Sequence, residues 1–139
     1  MKRKGFFLLA LALIAAALLL TGNHGGDVRN VSREVGQSEI YTSGEIEAAM
    51  DIVQEHFQAE FEGCRLQTLS YDETHSVKFS QDWAAQYDAQ EAIVLLSCFT
   101  VDSSGGDGSF TPNGTYGNWQ WILTRSSGEG WVLRTWGYG

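Results

Sequence analysis

Along the chain, Ile46, Met50, Val53, Phe57 and Phe61 recur at steps of four and three, with Ala49 beside them. That spacing makes one face of a long helix apolar. Thr42 stands as N-cap with Glu45 three residues on, and Tyr41 and Ile46 occupy the staple positions. Gly63, after Glu62, is the expected stop. Glu47, Asp51 and Glu55 fall four apart on the outer side, a solvated acidic face whose like charges cost a little stability.

After this helix the period changes. Cys64 to Tyr71 reads as a strand with Leu66, Leu69 and Tyr71 as its apolar residues, and Asp72 to His75 as a polar connection. Phe79, Trp83 and Tyr87 are four apart, which predicts a short helix over Ser80 to Tyr87 with an aromatic edge. Glu91 to Val101 is the most strand-like stretch: Ile93-Val94-Leu95-Leu96 is apolar on both faces, as in a central, doubly covered strand. A Gly/Ser/Asp-rich loop from Asp102 and the turn residues Pro112-Asn113-Gly114 lead to two aromatic strands. These are Trp119 to Arg125 and Trp131 to Tyr138, joined by Ser126-Ser127-Gly128-Glu129-Gly130. A run of strands after a helix predicts an α+β fold rather than alternating βαβ units. The expectation is a long N-terminal helix packed on an antiparallel four-stranded sheet, with the short helix between the first two strands, all within residues 39–139.

The leading residues differ in kind. Lys2-Arg3-Lys4 precedes an unbroken apolar run of fifteen, Phe6 to Leu20. Residues 1–22 therefore read as a secretory signal, or as an N-terminal membrane anchor if they are retained. Leu19-Leu20-Thr21-Gly22 approaches a lipobox, but Asn23 stands where the lipidated cysteine would be. Residues 23–38 show no apolar periodicity and read as a linker. The expected location is extracytoplasmic, secreted or held by the N-terminal segment.

Charge narrows the partners. Three of nine basic residues lie in Lys2-Arg3-Lys4, whereas all seventeen acidic residues follow residue 26. The body thus carries six basic against seventeen acidic residues, a charge of −11. Such a surface repels phosphate backbones and anionic membranes, which excludes nucleic acid as a partner and leaves membrane contact to the N-terminal segment.

The candidate chemistry is sparse. Cys64 and Cys98 are the only cysteines. If the chain returns so that Tyr71 faces Glu91, then Cys64 faces Cys98 within disulfide reach. Two free thiols packed in the sheet are the alternative. The loop from Asp102 to Gly108 alternates oxygen donors with glycine, but its fifth and sixth positions, Gly106 and Asp107, do not fit a calcium hand. His56, with Glu60 four residues on, or Asp102 could serve as a general base. No H-E-x-x-H or G-x-S-x-G spacing occurs, and His75 sits in a polar connection, so neither a metal, a cofactor nor a hydrolase nucleophile is implied. In the aromatic hairpin, pairing Leu123 with Leu133 puts Trp119, Trp121, Leu123 and Arg125 on one face with Trp131, Leu133 and Thr135. Arg134, Trp136 and Tyr138 then share the opposite face as a candidate ligand platform; the competing reading makes every one of these aromatics structural.

The segments Thr42-Ser43-Gly44-Glu45-Ile46, Phe61-Glu62-Gly63-Cys64, Glu91 to Ser97, Ser103 to Ser109, Trp119 to Leu123 and Gly130 to Gly139 carry a resemblance. Over residues 39–139 the chain resembles a family of small, mostly uncharacterised exported domains of Gram-positive bacteria. Its members occur as lipoprotein-like chains or appended to membrane sensor-type metallopeptidases. The resemblance implies a cystatin-like or NTF2-like fold, in which a curved antiparallel sheet wraps the long helix, and it supplies no catalytic residues. The functional expectation is a non-catalytic, extracytoplasmic domain that binds an envelope protein or a small ligand, as an accessory or sensor module. Two alternatives stand beside it: an NTF2-like pocket enzyme using a His or carboxylate base, and a glycan-binding surface on Trp136 and Tyr138.

Overall fold

In a computed structural model, which describes residues 25–138, the long helix runs from Ser43 to Glu60 (α1). Its capping box is formed: the Glu45 amide donates to Thr42 Oγ1 at 3.2 Å, and the Thr42 amide donates to Glu45 Oε1 at 3.0 Å. Ile46, Ala49, Met50, Val53 and Phe57 are buried along one stripe. Burying each of the larger side chains contributes about 1.5–3 kcal/mol, which is why this stripe, rather than helix propensity, holds α1 in place. Phe61 caps the C-terminal end, its amide donating to Phe57 O at 3.0 Å, and Gly63 follows in the left-handed region at φ 74°.

The remaining elements are β1 (Ser32–Glu34), β2 (Cys64–Ser70), α2 (Glu73–Gln86), β3 (Glu91–Val101), β4 (Thr115–Arg125) and β5 (Val132–Gly137). They build an α+β fold whose open sheet has the order β1-β2-β3-β4-β5. β1 lies parallel to β2 and every other pair is antiparallel, so the sheet is mixed and five-stranded rather than antiparallel and four-stranded. The added strand comes from the stretch read as a linker. Asp27 bridges to β2, its amide donating to Cys64 O and its carbonyl accepting from Leu66 N, while Val28, Val31 and Val35 pack on the core. Three valines spaced three and four apart carry no strand alternation, and the hydrogen bonds of β1 are supplied by its neighbour, so the local pattern conceals it. Residues 1–22, read as signal or anchor, lie outside the described residues.

α1 covers one face of the sheet through Leu66, Leu69, Ile93, Leu95, Phe99, Trp121 and Leu123. On the other face α2 covers β3, where Ala92 and Val94 are buried. The Val94 amide donates to the Ser76 hydroxyl at 3.0 Å, so α2 satisfies a backbone donor of β3 above the point where β2 has ended. α2 is longer than the helix expected over Ser80 to Tyr87. Asp72 is its N-cap, accepting from the His75 amide at 3.3 Å, which places His75 in the first turn rather than in a connection. Among the described residues no helix is long and apolar enough to cross a membrane.

Three bulges break the alternation of the strands. Leu66 and Thr68 pair with the consecutive residues Phe99 and Cys98, leaving Gln67 as the extra residue on β2. On β4 the register shifts between Trp119 and Tyr116, where Asn118 takes φ 55°. On β5, Leu133 and Thr135 oppose Leu123 and Ile122, so Arg134 is the extra residue.

Candidate aromatic cleft

The bulge at Arg134 decides where the expected platform goes, because one inserted residue reverses the parity of everything beyond it. Leu123 does pair with Leu133, but past the bulge Trp136 pairs with Trp121 and comes to the α1 side. Its ring lies 4.3 Å from that of His56 and 5.9 Å from Trp121. Tyr138 follows it, against Trp119 at 5.2 Å and Tyr116 at 6.0 Å. Arg134 stays on the α2 side, donating from Nε to Thr124 Oγ1 at 2.9 Å, with its guanidinium 5.5 Å from the ring of Tyr87. The set Arg134, Trp136 and Tyr138 is therefore divided between two faces of the sheet and forms no single platform.

Trp136 and Tyr138 remain 40% and 60% exposed, and Trp136 instead walls a cleft of about 460 Å³ at the C-terminal end of α1. Phe61, Phe110 and Trp119 supply the other rings, and Glu60, Glu62 and Asp107 the carboxylates. Phe61 sits 5.8 Å from Phe110, 6.5 Å from Trp119 and 6.4 Å from Trp136, the last two edge-to-face, the arrangement ring quadrupoles favour.

The glycine-rich loop builds the opposite wall rather than merely connecting strands. The Asp102 amide donates to Gly63 O and the Phe110 amide to Gly105 O, folding Phe110 back over the core. Gly106, at φ 68°, passes so close that a Cβ would meet Glu62 O at 3.1 Å and Phe110 Cδ2 at 3.0 Å. Asp107 accepts from the Ser109 amide at 3.0 Å; hydrogen bonds from Ser109 hold its carboxyl below the usual range, so it is ionised at neutral pH.

His56 lies against Trp136, Phe61 and Trp121. Its Nε2 is buried without a hydrogen-bond partner, and burial lowers its pKa from the ordinary value, opposed by Glu60. The ring is neutral at pH 7 and covered by Trp136, so a substrate cannot reach Nε2 as the structure stands. Asp102 accepts from both the amide and the hydroxyl of Ser104, which lower its pKa and make it a weak base. It belongs to a different cleft, of about 550 Å³, with Asp27, Gly63 and Arg65. His75 Nε2 is engaged with Gln120 Oε1 at 3.3 Å. No His/Cys/Asp/Glu group among the described residues is placed to hold a metal ion.

The disulfide expectation is corrected. Cys64 pairs with Val101, whereas Cys98 pairs with Thr68, and both thiols are free. Four residues of strand at about 3.3 Å each separate the two positions. The assumed register placed Tyr71 opposite Glu91, but β2 slides along β3 so that Ser70 meets Leu96, and the Gln67 bulge changes the count again. Cys64 is buried; burial first, then Asp102 and Asp107, raise its thiol to about 11.

Phe61, Phe110 and Trp119, three of the cleft's contributors, were not singled out as site residues from sequence, whereas Glu60 was named only as the partner of His56 and Asp107 only within the calcium-like loop. The usable sign was Phe110, a lone aromatic in a Gly/Ser/Asp loop, whose burial there demands a partner. Comparison with protein-family models, with curated proteins and with solved structures finds no match.

Proposed function

We propose that this is a non-catalytic binding domain whose site is the aromatic cleft between the end of α1, the 102–110 loop and β5. The observation that carries the reading is Trp136, a large ring left 40% exposed at the mouth of a ring-lined cleft in a domain that buries Trp121 and Trp131. Pockets of this size lined by aromatics with a few polar groups are typical small-ligand sites. The chemistry offered is contact and charge: ring faces, carboxylates, and an imidazole closed off beneath them.

The wider setting belongs to the same proposal. A basic start followed by an apolar run supports an extracytoplasmic role as an accessory or sensor module of the cell envelope, and the helix-on-sheet layering is compatible with the cystatin-like or NTF2-like arrangement and the exported family the sequence resembles. The ligand reading is tested by titrating the full chain, in non-ionic detergent, with neutral oligosaccharides, organic cations, organic anions and short peptides, following tryptophan fluorescence. At least one class should give a saturable change that Trp136→Leu abolishes. Silence from every class sinks the binding reading, and product formation that His56→Gln removes would replace it with the enzyme. Export is tested by adding protease to intact cells, where a domain that survives until lysis refutes the location.

A further inference from the structure

The aromatic cleft has a sign as well as a shape. Glu60 stands in the last turn of α1, and that turn contains no basic residue. The C-terminal end of a helix carries unpaired carbonyls and about half a negative charge. Phe61, the cap of this end, lines the cleft, so the helix terminus and the Glu60 and Asp107 carboxylates bring negative potential to a space bordered by Trp136 and the other rings. Aromatic faces attract cations through their quadrupole.

Among the described residues, the basic side chains are placed elsewhere. Arg29 and Arg65 pair with Asp27, Arg33 with Asp51, and Arg125 with Glu45 and Glu91. Lys78 lies over Phe79, and Arg134 is held by Thr124 on the far face of the sheet. These six are all the basic residues after residue 4. None of them lines the cleft, and no ion pair among the described residues uses Glu60 or Asp107.

We infer that the cleft takes a small organic cation with an alkylated ammonium head. This rests on the reading of the cleft as a ligand site and adds the class of ligand. A bare divalent ion is a poorer occupant, because it needs several converging oxygen ligands and gains nothing from the rings. A compact ammonium clothed in methyl groups uses both features: its methyls pack on the exposed ring of Trp136 and against Trp119 and Phe110 in the lining, and its charge meets Glu60 and Asp107. The net charge of −11 on the body adds a long-range field that draws cations inward and repels anions.

The test titrates the full chain, in non-ionic detergent, with tetramethylammonium and choline, and in parallel with choline's neutral tert-butyl isostere and a neutral oligosaccharide. Choline should bind about five- to tenfold more tightly than the neutral isostere, the size of a partly exposed cation–π contact. Added salt should weaken choline and leave the isostere unchanged. Trp136→Leu, which keeps apolar cover over His56 but removes the ring, should weaken choline about fivefold or more. Glu60→Gln with Asp107→Asn lies on exposed positions and should reduce the salt dependence while leaving the urea midpoint near wild type. Equal affinity for choline and its isostere, or saturation by the oligosaccharide alone, overturns the cation assignment and leaves the ligand cleft standing. No binding of any probe overturns the assignment, and silence from the wider panel as well removes the site itself.

Discussion

Arg125 ties the turn end of the β4–β5 hairpin to the start of α1, and its removal should be among the costliest single changes outside the apolar core. Its Nε donates to Glu91 Oε2 at 2.5 Å and its Nη2 to Glu45 Oε2, while the guanidinium lies 4.2 Å from the ring centre of Trp131. Trp131 in turn donates from Nε1 to the Glu45 carbonyl at 3.0 Å. The arginine is 20% exposed, Glu45 32% and Glu91 42%, so neither pair is dry and the Glu91 pair must be discounted for screening. Taking about 1 kcal/mol for Glu45, about 0.5 for Glu91 and about 1 for the stack on Trp131 gives a loss of about 2–3 kcal/mol for Arg125→Met. Methionine keeps the apolar stem, so lost packing is a small part of this. At roughly 4 °C per kcal/mol for a domain of this size, the melting temperature should fall by about 8–12 °C. The assay is urea unfolding of wild type, Arg125→Met, Glu45→Gln and the double variant. Glutamine preserves the capping box while removing the charge, so the cycle isolates the ion pair. A coupling of about 1 kcal/mol that shrinks in high salt is expected. A loss under about 1 kcal/mol for Arg125→Met, with no coupling to Glu45, would refute the view that this cluster pins the hairpin to the helix.

Other expectations follow from the same geometry. Mass spectrometry of unreduced, denatured protein should find both thiols alkylated, and in the folded state Cys98 should react well before Cys64; an unmodified pair would restore the disulfide. Stability should fall with acid in two limbs. Burial sets His56 below its ordinary 6.5, so the unfolded chain takes the proton first and stability declines as pH falls through 6.5, a limb that His56→Gln should erase from urea midpoints. Hydrogen bonds from Arg29 hold Asp27 down to about 2, and those from Thr42 and Arg125 hold Glu45 below its ordinary value. Their contribution is complete above the unfolded values of 3.8 and 4.5 and is lost as pH falls towards the folded ones, which gives the second, steeper limb. Gly26→Ala should destabilise by about 1–3 kcal/mol, because its Cβ would fall 2.4 Å from Phe57 O, a backbone atom that cannot swing away; a wild-type urea midpoint would show that residues 25–27 do not clamp α1 to β2. Ser76→Ala leaves the Val94 amide buried and unpaired, an expected loss of about 1–3 kcal/mol by the same measurement.

What could be read from the chain was whatever depends on local periodicity. The stripe from Ile46 to Phe57, the capping box at Thr42 and the bounds of β3 at Glu91 and Val101 all stand in the fold. β1 was hidden because its hydrogen bonds belong to β2, and a three-residue strand of Ser, Arg and Glu has no apolar alternation of its own. The start of α2 was hidden because Asp72 and Glu73 suit a loop as well as an N-terminus; the Ser76–Val94 contact that selects the helix is 18 residues away in sequence. Likewise the register of β2 on β3, and with it the separation of the two cysteines, rests on which side chains close over α1, and no strand carries that information alone.

The site was missed for a sharper reason, and it lies in the bulges. Strict alternation sends Trp136 to the face opposite Leu133, yet the extra residue Arg134 brings both to the α1 side. The bulge at Gln67 does the same for Leu66 and Leu69, and the one at Asn118 for Tyr116 and Trp119. Two of the three adjoin Phe99, which pairs with Leu66 on one side and Tyr116 on the other. A bulge bends its strand and tightens the local twist, so this part of the sheet is bent where Phe57, Phe61 and Phe110 meet Phe99. Counting aromatics therefore finds the right end of the chain but assigns the wrong face. The residues that gather the rings into one cleft are Gln67, Asn118 and Arg134, three polar positions that look unremarkable in an alternating strand. Their polarity fits the role, since the extra residue of a bulge is turned away from the core and must be soluble there. Placing Trp136 and Trp119 beside Glu60 and Asp107 is thus a consequence of backbone irregularity, which parts Trp136 from Arg134, a cation that stays on the α2 side.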